Sequence, residues 1–119
     1  MRYTDRPEKD RLSWYPLFME LEQELEVVRV AFAKRKPRLE EERFRQIIDS
    51  EVDILFWING LESRSTEIDE LLTKPVNASD RIGFLYENLH FYTSFAASEE
   101  LLTELHKLYL RRKVIEKWT

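Results

Sequence analysis

A chain of 119 residues with only two glycines, Gly60 and Gly83, no cysteine and a net charge of −4 falls short of what several protein classes require. Average glycine usage would supply about eight, so tight β-turns and a phosphate-cradling glycine loop are hard to build. Lack of cysteine removes disulfides, thiolate nucleophiles and thiolate metal sites, and no apolar run approaches the ~20 residues of a membrane span.

The charge divides evenly. Residues 1–60 carry 11 basic and 13 acidic side chains, and residues 61–119 carry 8 and 10. A polyanion would therefore have to find a local patch. The start, Met1 to Pro7, lacks a hydrophobic signal region, and the expected location is the cytoplasm. Apolar residues recur at helical spacing almost throughout, which predicts an all-α fold: a single domain, a compact bundle of four to five helices, with residues 1–13 as a loosely packed arm.

Pro16 suits the first turn of a helix, where its missing N–H costs nothing. Leu17, Leu21, Leu25, Val28 and Phe32 then fall on one stripe, before Lys34-Arg35-Lys36 and Pro37 end the helix. A second helix is predicted over 38–59, with Glu40, Glu41 and Glu42 in its first turns and Asn59-Gly60 as its stop. Its face is Phe44, Ile47, Ile48, Val52, Leu55 and Ile58. The run Ile54 to Ile58 is apolar all round, so this helix is expected at the centre of the bundle.

A short helix is expected over 65–73, carrying Ile68, Leu71 and Leu72 and ended by Pro75. A third long helix is expected from Ser79 or Asp80, with Ile82, Leu85, Tyr86, Leu89, Tyr92 and Phe95 on its stripe. Gly83 inside it costs about 1 kcal/mol relative to alanine and is expected to mark a close helix crossing. Ser98 is expected to cap the last helix, whose face is Leu101, Leu102, Leu105, Leu108 and Tyr109.

Candidate chemistry is sparse. Glu87 and His90 make a Glu-x-x-His pair, but di-iron bundles need that pair twice, with further glutamates. His106 follows Glu104 by two positions, which sends the side chains apart. Asp49 and Asp53 at i, i+4, with Glu67 and Glu70 as a second pair, are the residues that an Mg²⁺-dependent nucleotide hydrolase would use; an acidic solvated face explains them equally well. No serine sits in a nucleophile elbow. Neither a metal nor a cofactor is expected.

Two basic clusters, Lys34-Arg35-Lys36-Pro37-Arg38 and Lys107 with Arg111, Arg112, Lys113 and Lys117, are candidate polyanion-binding residues if the fold puts them on one surface. Cations at helix C-termini are also what the helix dipole favours. Between the second and third long helices, Lys74-Pro75-Val76-Asn77-Ala78-Ser79-Asp80-Arg81 stands out. Lys74, Asn77 and Arg81 could gather donors around a helix N-terminus to hold an anion or a partner. The structural alternative is a turn in which Asn77 caps backbone amides and Arg81 pairs with a glutamate.

Lys74-Pro75-Val76-Asn77, then Arg81 and Phe84, then Tyr92-Thr93-Ser94-Phe95, preceded by Trp57-Ile58-Asn59-Gly60, resemble the YpoC-like family of small bacterial proteins. The similarity covers roughly residues 44–110, and the N-terminal third departs from the pattern. The resemblance implies a helical, cytosolic bacterial protein and carries over no reaction, cofactor or catalytic residue. The expected function is a non-enzymatic interaction or adaptor domain that binds a protein partner or itself, not a membrane. A nucleic-acid-associated protein using the basic clusters is the alternative, and the acidic-helix hydrolase the third.

Overall fold

Trp14 and Pro16 open the first helix of a computed structural model that describes residues 14–62 and 64–115. Helix α1, Tyr15–Ala33, has the proline in its first turn. It ends in a Schellman motif: Lys36 N–H donates to Ala31 O and Arg35 N–H to Phe32 O, each at 2.9 Å. Arg35 takes the left-handed position usually given to glycine, with φ 57°. A 3₁₀ turn, Pro37–Glu40, leads into α2, Glu41–Ile58. The same motif closes α2, this time with Gly60 at φ 80° and Leu61 N–H donating to Phe56 O at 3.1 Å. Both stops were readable locally.

Eleven of the 18 residues of α2 are buried, and this helix packs against α1, α4 (Tyr92–Ile115) and α3 (Ala78–Glu87). It is the central rod, as its all-round apolar run predicts. Trp14 stacks on Tyr109 with ring centroids 4.8 Å apart, while Phe32 meets Phe95 at 5.9 Å. The start of α1 therefore touches the end of α4, and the two helices are antiparallel. Since α1 and α2 are joined by a short turn, α2 runs alongside α4 in the same direction. Among the described residues there is no strand, and no helix is long and apolar enough to cross a membrane. Those residues form the expected all-α bundle, with four α-helices.

Five expectations need correction. Residues 65–73 hold only a 3₁₀ turn, Ile68–Glu70, because Leu71 turns inward and Leu72 outward. The third long helix stops at Glu87: the Asn88 side chain donates to Phe84 O at 2.8 Å, competing with the backbone ladder. The last helix starts at Tyr92, so Ser98 lies inside α4 and caps nothing. Helix α3 begins at Ala78 after Asn77, which leaves Ser79 and Asp80 in its first turn. Gly83 marks no close crossing, since a Cβ there would meet nothing within 4 Å.

Candidate interaction surface

The chain from Leu71 to Asn77 belongs to no helix, yet it is fastened at several points. The Asn59 carboxamide makes three bonds: Nδ2 donates to Leu55 O and to Thr73 O, both at 2.8 Å, and Oδ1 accepts from Thr73 N–H at 2.9 Å. Arg112, from α4, donates to Thr73 Oγ1 at 2.9 Å. Lys74 Nζ turns back to Leu71 O at 2.6 Å. Leu71 and Pro75 are buried. Each such bond contributes about 1 kcal/mol net, and together they fix a loop that would otherwise sample many conformations.

This fixed loop exposes apolar side chains. Leu72 is 96% exposed and Val76 78%. Arg81 Nη1 donates to Val76 O at 3.3 Å, and the same guanidinium grips Glu104 of α4 through both nitrogens. Beside it lies a shallow depression of about 350 Å³ lined by Asn77, Asp80, Arg81, Phe84 and Ala97. Phe84 is exposed on its edge.

Lys74, Asn77 and Arg81 thus sit on one stretch of surface, but Lys74 and Arg81 have different acceptors. Asn77 adopts the left-handed conformation at φ 58° and makes no side-chain cap bond. The pairing of Arg81 with a glutamate is the arrangement that the structural alternative anticipated. Arg111, Arg112 and Lys113 adjoin this loop through the Arg112–Thr73 bond, and Lys113 Nζ lies 5.9 Å over the Tyr109 ring. Lys34, Arg35, Lys36 and Arg38 follow the far end of α1, whose 19 residues span about 28 Å. The two basic clusters occupy opposite ends of the α1–α4 pair. Lys117 lies outside the described residues, as does the expected arm over 1–13.

Asp49, Asp53 and Glu70 each already have a partner. Arg64 Nε donates to Asp53 Oδ1 at 3.1 Å and its Nη2 to Asp49 O at 2.9 Å, while Tyr86 donates its hydroxyl to Asp49 Oδ1 at 2.5 Å. Burial, reinforced by the Asp49 carboxylate, pushes the Tyr86 phenol far above its ordinary range. Glu70 accepts from Thr66. His90 lies in the turn after α3 and pairs with Glu41 instead of sharing a helix face with Glu87. His106 stacks on Phe18 with centroids 4.4 Å apart. Among the described residues, no three His, Asp or Glu side chains form a group that could hold a metal ion.

Sequence reasoning missed Glu51. It is fully buried in the middle of α2 and accepts from Ser98 Oγ at 2.7 Å, while its second oxygen has no partner among the described residues. Burial pushes its carboxyl well above the usual range, against the smaller opposing effect of the Ser98 bond. Its place in the run Asp49-Ser50-Glu51 gave no sign of this. The one available signal is Ser98, a polar residue three and four positions before Leu101 and Leu102 on the buried face of α4.

These features define an all-α bundle with a pinned, partly apolar loop between its second and third helices. The particular family follows from comparison with known proteins. The chain belongs to the YpoC-like proteins, whose family model matches residues 13–117. That match takes in α1, which the resemblance over 44–110 left out. No curated protein and no solved structure matches the chain. Two of the segments that carried the resemblance, Trp57-Ile58-Asn59-Gly60 and Lys74-Pro75-Val76-Asn77, flank one contact, the Asn59–Thr73 amide pair.

Proposed function

We propose that this chain is a non-enzymatic helical interaction module of the bacterial cytoplasm, and that a protein partner covers the loop bearing Leu72 and Val76 together with Phe84. The observation that carries this reading is the combination of exposure and fixation. Two aliphatic side chains stand almost fully in water on a segment held by Asn59, Arg112 and Lys74. Exposed apolar groups on a rigid support bind without a large ordering cost, and grouped apolar exposure is a common mark of interaction sites. Thr73, Lys74 and Arg81 around the loop already have partners, so they serve to position it.

A photo-crosslinking residue placed at Val76 tests this in cells. A discrete protein adduct is expected. It should disappear when Leu72→Asp is added, while the melting temperature of the purified protein stays unchanged because Leu72 packs against nothing. An identical adduct with and without Leu72→Asp would overturn the assignment.

A further inference from the structure

Helix α4 carries a second, exposed stripe, whose first residue, Tyr92, also borders Phe32 and Phe95. At about 100° per residue, Tyr92, Ala96, Glu99, Thr103, Lys107, Leu110 and Val114 all fall within about 40° of one line along the helix. Every one of them is exposed, with Val114 at 77%. The spacings alternate between four and three residues apart from one repeated four, as in a helix–helix seam. The stripe rises about 33 Å along α4.

Its order is what identifies the occupant. Counted outward from Thr103, the stripe is complementary to its own reverse. Glu99 lies four residues before Thr103 and Lys107 four after. Ala96 and Leu110 stand seven residues to either side, and Tyr92 and Val114 eleven. Laid antiparallel on a second copy, the stripe sets Glu99 against Lys107 twice, Ala96 against Leu110 twice and Tyr92 against Val114 twice. Thr103 then faces itself on the two-fold axis. A parallel pairing would instead oppose Glu99 to Glu99 and Lys107 to Lys107.

The neighbouring surface agrees in sign. A groove of about 270 Å³ between α1 and α4 is lined by Glu22, Leu25, Glu99, Leu102 and Thr103, so Glu22 adds negative charge where the partner's Lys107 arrives. Arg29, a cation on the same half, is already paired with Glu26. On the basic half, Arg111 flanks Lys107 one turn on.

We infer that this chain forms a two-fold antiparallel homodimer along the outer face of α4, with the Glu99–Lys107 pairs setting the register and the apolar pairs supplying the association. Symmetric pairs of this kind are the commonest closed assemblies, because one self-complementary patch satisfies both copies. The ion pairs act mainly on orientation.

Sedimentation velocity tests the arrangement. Wild type should move from monomer to dimer with rising concentration, less readily at high salt. Glu99→Lys alone and Lys107→Glu alone should each remain monomeric, and mixing the two should restore a dimer, because each copy then supplies what the other needs. Leu110→Asp should stay monomeric alone or mixed. Both charged positions are exposed, so unchanged thermal melting verifies the fold of each variant. A wild type that stays monomeric throughout would overturn the inference, as would single charge variants that dimerise like wild type or a mixture that does not recover. The dimer face is separate from the Leu72 loop: Leu72→Asp should dimerise normally, so failure of one reading leaves the other standing.

Discussion

Removing the Asn59 side chain measures how firmly the loop is held. Asn59 is the C-cap of α2, and its own N–H bonds to Phe56 O at 3.0 Å, so the Leu55 carbonyl lacks its ordinary partner four residues on and receives Nδ2 instead. The other two bonds satisfy both backbone groups of Thr73, which has no ladder of its own. Asn59→Ala therefore leaves two carbonyls and one N–H to water. With each bond contributing about 1 kcal/mol net, the expected loss is about 2–3 kcal/mol, a large fraction of the 5–15 kcal/mol typical of a domain. Denaturant unfolding reads the loss, and amide exchange at Thr73 shows where it falls. Asn59→Asp keeps the acceptor for Thr73 N–H but turns a carboxylate oxygen toward two carbonyls, so it should do no better than alanine. A loss below about 0.5 kcal/mol, or unchanged Thr73 protection, would mean that buried Leu71 and Pro75 hold the loop without Asn59.

The two glycines should respond in opposite directions. Gly60→Ala strains a left-handed position at φ 80° and should cost about 1 kcal/mol, whereas Gly83→Ala, inside α3 with open space around it, should gain up to about 1 kcal/mol; equal shifts in melting temperature would contradict both. Glu51 supplies a pH-dependent test. The folded chain keeps a proton that the unfolded chain releases near pH 4.3, so above that pH the wild type loses about 1.4 kcal/mol per unit until the folded side chain itself titrates. Glu51→Gln keeps the shape and the Ser98 bond without that proton. The two proteins should melt alike near pH 4 and the variant higher at neutral pH, and parallel pH curves would show that the carboxyl is not held neutral.

What the sequence disclosed and what it hid divide along the range of the interaction that decides each feature. Pro16, Pro37 and Asn59-Gly60 act within a turn of themselves, and the bounds of α1 and α2 followed from them. Leu71 and Leu72 are the same residue type side by side, and their opposite fates depend on a loop path set by Asn59 and Arg112 from two other helices. Ser98 could serve as a cap or as a core donor; Glu51, 47 positions away, decides in favour of the core.

That one decision governs how the rest of α4 reads. If Ser98 begins a helix, Tyr92 and Ala96 belong to a different rod from Lys107 and Val114, and their symmetry about Thr103 has no physical meaning. Once Ser98 is turned inward to Glu51, α4 runs unbroken from Tyr92 to Ile115. Seven exposed residues, two of them charged, then form a single line whose polarity reverses at its midpoint. The buried Ser98–Glu51 contact and the exposed Glu99–Lys107 pattern therefore concern the same helix seen from its two sides, and a variant that breaks α4 near Ser98 should cost the dimer along with the core.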